Sequence, residues 1–422
     1  MNIVLPVVLA LLAPLAPPAL PAGSTWIVDA SGGGDFSSIL EAVNAAAPGD
    51  VLLVLPGNYG PFLLDKELSI LGVPPVKPVV NGTVLVTAPT FRMAGLHLRQ
   101  LEIRDVTGIA LLDDLLVDGL LGPGSGCHHA LLVQDSNLVH ITRTVVRGKH
   151  GDIVCEGPGL VVKDSVVTFT GGEIEGGTGW GDSFIGYDGK PALVAVGSAR
   201  VTLSGANIRG GNAGTPEILF GGTGGYGAPA LNLTGTPLGV KPHVVVRGSA
   251  LHLVSGGQAG GGQGSEPAYT VASGMQGSTL VFSGAQHWPE DLGTIGLNVV
   301  EPAIAESFAT LTGGDEAGNT KRLNLHGPAG VGGLLLIGAE LDWSTPSSVT
   351  GGIFLDPASL LFAVPVVFAG QDSHISLLFQ LPASLAGLEG SLLGIQGFAA
   401  GLGVGGTWQA QSPVFVLLRG AI

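Results

Sequence analysis

The stretches LVHITRTVVRG (138–148), LVVKDSVVTFTGG (160–172) and ARVTLSGANIRGG (199–211) are variants of one unit. Each holds short runs of Val, Leu, Ile and Thr broken by a polar or glycine turn, and each closes on glycine. Shorter relatives are DDLLVDG (113–119), GSALHLVSGG (248–257) and GSTLVFSGA (277–285). The closing glycines fall at 119, 148, 171, 210, 256 and 284, so the gaps are 29, 23, 39, 46 and 28. A second marker, Pro-Ala followed by Leu or Tyr, recurs at Pro191, Pro229 and Pro267, 38 residues apart each time. A constant core with variable spacing is the pattern of a solenoid with insertions. The core of roughly 20 residues holds enough short strands for one coil of a right-handed parallel β-helix. One coil cannot bury its inner face alone, so several must stack, with Val, Leu and Ile in apolar ladders inside. The spacing predicts this fold over 23–300.

The extra length lies in three glycine-rich excursions, Gly171 to Lys190, Gly210 to Ala228 and Gly256 to Glu266. All three leave the repeat at the same stage, which puts them on one side of the column. Beyond residue 300 the repeat stops. His374 to Leu381 alternates in the manner of a half-buried antiparallel strand. Further candidates are Leu323–Leu325, Leu334–Ile337, Ile353–Leu355, Leu360–Phe368, Leu392–Phe398 and Pro413–Leu418. About seven short strands over this stretch predict a β-sandwich across 301–422.

Composition agrees with an all-β chain. Of 422 residues 71 are glycine, and only 12% are charged. That excludes coiled coils and long-helix proteins. The net charge of −15, with no basic run, excludes a nucleic-acid binder. Collagen is excluded because glycine follows no three-residue period.

Met1 to Ala22 reads as a secretory signal: an apolar run from Ile3 to Leu12, then Pro and Ala, with small residues before Gly23. The expectation is therefore a secreted or cell-surface protein with no membrane span in the mature chain. In that compartment Cys127 and Cys155 can pair or remain free. Near the start of the mature chain, Ser38 and Glu41 form a capping box for a helix lined by Phe36, Ile39, Leu40 and Val43. Pro48-Gly49 stops that helix, and Val51 to Leu55 is a strand buried on both faces. The helix is placed to cover the open end of the column.

WIVDASGGGDFSSILEAVNAAAPGDVLLVLPGNY (26–59) resembles the opening of pectin methylesterases and other pectin-lyase-like β-helix proteins. The layout of the whole chain, closing on GSLLGIQGFAAG (390–401) and WQAQSPVFVLL (408–418), is similar to exported planctomycete proteins with a C-terminal sandwich. The resemblance implies the fold and export. The esterase motifs carry over only in fragments. Pro61 stands where that family has Glu. The family's acid/base aspartate falls on Asp135 in Gln134-Asp135-Ser136, and its nucleophile on Asp152 in Gly151-Asp152-Ile153. The arginine-bearing segment has no counterpart. Asp135 and Asp152 are thus weak catalytic candidates for a pectinesterase-like activity. A carboxylate pair of this kind works only when one member is neutral and the other ionised.

A polysaccharide lyase would need calcium on clustered carboxylates. Asp113, Asp114, Asp164, Glu173, Glu175, Asp182 and Asp188 are scattered instead. GGTGWGDSF (176–184) departs by one residue from the calcium nonapeptide. His128 and His129 are adjacent, and on a strand such a pair points to opposite faces. No cofactor or metal is expected. The most informative polar-apolar feature is aromatic placement. Aromatics are 5% of the chain, yet Trp180, Phe184, Tyr187, Phe220 and Tyr226 fall in the first two excursions. Such rings suit stacking on sugars or on a partner protein. The reading is a binding or structural protein, with a polysaccharide-active enzyme as the alternative.

Overall fold

The computed structural model describes residues 23–119, 129–149, 157–181, 185–215, 224–235, 239–248, 253–259, 272–283, 286–288 and 295–300. Beyond these it describes 308–312, 320–326, 331–338, 341–344, 349–350, 353–355, 360–368, 374–380, 392–400, 408–410 and 414–417. Between Thr25 and Val300 the strands pair only in parallel, each with the strand one coil further on. They form three walls. The first runs through Val51–Val54, Ser69–Gly72, Phe91–Ala94, Ile109–Asp113, Leu138–Thr142, Val166–Thr170, Arg200–Ser204 and His243–Arg247. The second runs through Leu116–Val117, Val145–Arg147, Glu173–Glu175, Asn207–Arg209 and Leu253–Ser255. The third runs through Leu131–Gln134, Leu160–Lys163, Leu193–Val196 and Leu231–Thr234. The molecule is a parallel β-helix.

Stacking of like on like explains the interior. Val139, Val167, Val201 and Val244 lie in register on the first wall. Val117, Val146, Ile174, Ile208 and Val254 do so on the second. Leu131, Leu160, Leu193 and Leu231 do so on the third. All belong to one continuous buried core. Each such side chain contributes about 1.5–3 kcal/mol of burial, before the cost of ordering the chain.

The walls meet at corners that need a left-handed residue. After the first wall these are Gly95, Asp114, Arg143, Gly171 and Gly205. Before it they are Asp105, Asp135, Asp164 and Gly197. Asp and Gly tolerate that conformation best. This corrects the repeat alignment at one unit. Gly171 is a corner after the first wall, and the glycine stacked on Gly148 is Gly176 or Gly177. The first excursion accordingly leaves after Glu175.

The N-terminal signature is explained by closure of the first coil. The Asp50 carboxylate accepts from Ser24 N (2.7 Å), Ala47 N (2.9 Å) and Trp26 Nε1 (2.9 Å). Burial acts to raise its pKa, and these three donors outweigh burial and hold it low. Asp35 Oδ2 accepts from Ile27 N at 2.8 Å, and the Tyr59 hydroxyl donates to Leu55 O at 2.8 Å. Ser38 caps the helix Ile39–Ala45, its Oγ accepting from Glu41 N. Ile39, Ala42 and Val43 face the core, whereas Leu40 is 44% exposed. The capping face is therefore narrower than the sequence pattern suggested.

The outer side of the first wall is also covered. Leu53, Leu71, Val73, Ala94 and Leu111 form a second apolar cluster there. Further along, His140, Thr142, Thr168, Thr170 and Ser204 are buried. The strands Val414–Leu417 and Phe308–Thr312 run alongside this wall at Ile109–Asp113 and Arg200–Ser204. From Phe308 onward pairing is mainly antiparallel, with Thr320–His326 between Phe308–Thr312 and His374–Gln380, and Gly332–Gly338 between Leu360–Val367 and Leu392–Ala399. Leu323 and Leu325 of one sheet share a core with Leu335 and Ile395 of the other, which is sandwich packing.

His140 carries a pH consequence. Its ring Nδ1 is paired with Thr168 Oγ1, with Leu111 on the other neighbouring coil. Burial lowers its pKa to about 3. The unfolded chain protonates this ring near pH 6.5, so its contribution is intact above that pH and drains as pH falls toward 3. The loss is up to ~1.4 kcal/mol per pH unit. Thermal melts from pH 7 to 4 should fall more steeply for the native chain than for His140→Gln; equal slopes would refute this.

Candidate functional site

The excursions are built from backbone upward. In the first, Tyr187 N donates to Trp180 O and Lys190 N to Gly177 O, both at 2.8 Å. The second excursion repeats the step on the first: Gly211 N to Lys190 O (2.9 Å) and Gly214 N to Tyr187 O (2.8 Å). Its own return then donates from Ala228 N to Gly211 O at 3.0 Å. Segments leaving the column pair with one another in the same way, through Gly176 N to Arg209 O (2.9 Å) and Gly179 N to Asn212 O (2.7 Å). Gly210 N to Ser255 O and Ala213 N to Gln258 O, both 2.8 Å, continue the series. Within each pair the donors are three residues apart and so are the acceptors. That is the period of a polyproline II-type chain, which has three residues per turn and no internal hydrogen bonds. The described parts of the excursions form a two-layer slab of such chains, outgoing in one layer and returning in the other.

Glycine is required here for closeness. None of Gly176, Gly179, Gly186, Gly189, Gly211 or Gly214 has a positive φ. A Cβ added at Gly176 would lie 1.8 Å from Lys190 O, and one at Gly211 would lie 1.9 Å from Gly177 O. The local spacing Gly176/Gly179, Gly186/Gly189 and Gly211/Gly214 is the three-residue signal that the sequence did carry, within a chain that lacks it overall.

The slab gathers the described aromatics. Trp180 and Tyr187 stack with ring centroids 6.2 Å apart and planes at 29°. Tyr226, one coil on, is held beside them: its N donates to Asp188 Oδ1 at 2.7 Å, and Gly189 N donates to Tyr226 O at 2.9 Å. Ile185, Tyr187 and Tyr226 are 49%, 41% and 51% exposed. Ile185 was not among the sequence candidates, and Asp188 was weighed there only as one of the scattered acids. Phe184, Phe220, Asp152, Cys127, Cys155 and His128 lie outside the described residues.

The described acidic candidates disperse. Asp135 is a corner residue with φ 49°, and its Oδ2 accepts from Gln134 Nε2 at 2.8 Å. It stacks between Asp105 and Asp164 through backbone hydrogen bonds from coil to coil. Arg143 stands at the opposite end of the first wall, where its Nε donates to Asp113 Oδ1 at 3.0 Å. Arg147 spans Glu173 (3.4 Å) and Glu175 (3.3 Å) on the second wall. Asp114 pairs with Lys77 at 2.7 Å, and Asp164 Oδ1 accepts from Ser198 N at 2.8 Å. His129 Nε2 is 3.5 Å from Glu102 Oε1. The structure does not bring Asp135 to Arg143 or Arg147. Among the described residues there is no group of three His, Cys, Asp or Glu side chains able to hold a metal. No described helix is long and apolar enough to cross a membrane.

No family model matches the chain, and no curated protein does. Among solved structures it is similar to the tailspike protein 4 enzymatically active domain of bacteriophage CBA120. The identity is 11% and the TM-score 0.31, with 87% of this chain and 64% of that one covered. The chain thus spans somewhat less than two thirds of that structure's length.

Proposed function

We propose that this is an exported, cell-surface or extracellular protein that binds polysaccharide along its glycine flank. One observation carries the reading: Trp180, Tyr187 and Tyr226 share a rigid slab, two of them well exposed. Flat rings held by a stiff backbone offer apolar faces to sugar rings at little entropic cost. Asp135 is built into a corner of the column, and Arg143 at the other end of that wall is engaged with Asp113, which supports binding as the first reading. The β-helix and the sandwich, divided near residue 300, then serve as stalk and attachment or assembly module.

Electrophoresis through gels containing plant and algal polysaccharides tests this. At least one polymer should retard the protein. Trp180→Ala with Tyr226→Ala should weaken that retention about 10- to 100-fold, taking ~1 kcal/mol or more per ring. Undiminished retention of a double variant with native circular dichroism would remove the proposal.

A further inference from the structure

We infer that the flank selects an uncharged, hydroxyl-rich polysaccharide and rejects acidic ones; this rests on the binding reading above. The argument is electrostatic and local. Asp188 follows Tyr187 in the chain, is exposed, and is fixed by the 2.7 Å bond that its Oδ1 accepts from the backbone N of Tyr226. The three excursions carry Asp182, Asp188, Glu217 and Glu266 against one base, Lys190, and contain no arginine. Recognition of a carboxylate or sulfate relies on an arginine fork or a cluster of bases. The arginines nearest the base of the slab are engaged elsewhere. Arg147 spans Glu173 and Glu175, and Arg209 is 3.9 Å from Glu175. A uronate polymer laid on Tyr187 and Tyr226 would bring its carboxylates against Asp188, with a net charge of −15 behind it. Like charges brought together at an interface repel and suppress the wrong partner. A neutral sugar meets none of this. Its C–H faces lie on the rings, and its hydroxyls donate to a carboxylate already held in place.

The full mature chain is run in gels containing xyloglucan, glucomannan or amylose, and in gels containing polygalacturonate or alginate, at low salt and at 0.3 M salt. The higher salt shortens the screening length to well under 10 Å, so repulsion by the whole protein fades while contact with Asp188 persists. The expected result is retention by a neutral polymer at both salt concentrations, at least tenfold tighter than by any acidic polymer, and lost in Trp180→Ala/Tyr226→Ala. Retention by an acidic polymer that the same double variant loses would overturn the selectivity and leave the binding reading standing. Retention by neither class would overturn both.

Discussion

Gly211→Ala should dismantle the glycine slab while leaving the column folded. The new methyl carbon would sit 1.9 Å from Gly177 O and 3.0 Å from Lys190 N. Both are backbone atoms, so no side-chain rotation relieves the contact. Gly211 also donates to Lys190 O and accepts from Ala228 N, so its displacement breaks the bonds between both layers. Overpacking of this severity costs about 3 kcal/mol or more. The readout is hydrogen exchange. Amides of Tyr187, Lys190, Gly214 and Ala228 should lose roughly 100-fold or more of protection, with those of Val139, Val167 and Val201 unchanged. Polysaccharide retention should fall with the slab. Gly60→Ala is the matched control, since a Cβ there meets nothing within 4 Å. Equal behaviour of the two variants would show that the excursions are ordinary loops.

Asp113→Ala should be the most destabilising single change in the column. The Asp113 side chain is 0% exposed and that of Arg143 11% exposed, so loss of the carboxylate takes both acceptors of a two-point ion pair from a nearly buried guanidinium. Breaking such a pair from one side costs about 3–5 kcal/mol. Arg143 also holds φ at 50°, a position that Gly171 and Gly205 fill on the next two coils. Adding Arg143→Gly to Asp113→Ala should therefore recover most of the loss, by removing the buried charge that has lost its carboxylate and the backbone strain together. Denaturant midpoints of the two single variants and the double variant measure this. If the double variant were as unstable as Asp113→Ala, the ion pair would not be the source of the cost.

The registered charges on the second wall follow the same logic at the surface. Arg99 meets Asp118 at 2.5 Å, Arg147 meets Glu175 at 3.3 Å, and Arg209 follows on the next coil. Signs alternate from coil to coil because like charges directly opposite on neighbouring strands repel.

The parallel column, its helical cap and the change of pattern beyond residue 300 were legible in the chain, because stacking of identical walls repeats the same residue types at each coil. Val51 to Leu55 reads as buried on both faces, and it is: Leu52 and Val54 point into the column, Leu53 into the outer cluster. The residues that stand out in 26–59 each have a structural role. Trp26 donates to Asp50, Asp35 accepts from Ile27 N and Tyr59 donates to Leu55 O, and these bonds close the first coil, so the signature speaks of fold and says little of chemistry.

The site was legible only in part. Excursions on one flank and aromatics within them follow from the repeat. That Asp135 is a left-handed corner, stacked with Asp105 and Asp164, does not, because a turn aspartate and a catalytic one are the same letter in a sequence. Nor could the glycine runs be read as a packed slab. Their hydrogen bonds join Gly177 to Lys190, Lys190 to Gly211 and Gly211 to Ala228. A polyproline II-type segment makes no bonds to itself, so its order comes only from neighbours supplied by other coils. Local sequence determined which residues line the column; the stacking of coils alone decided that the glycines would pack backbone against backbone and that Trp180, Tyr187, Asp188 and Tyr226 would belong to one slab.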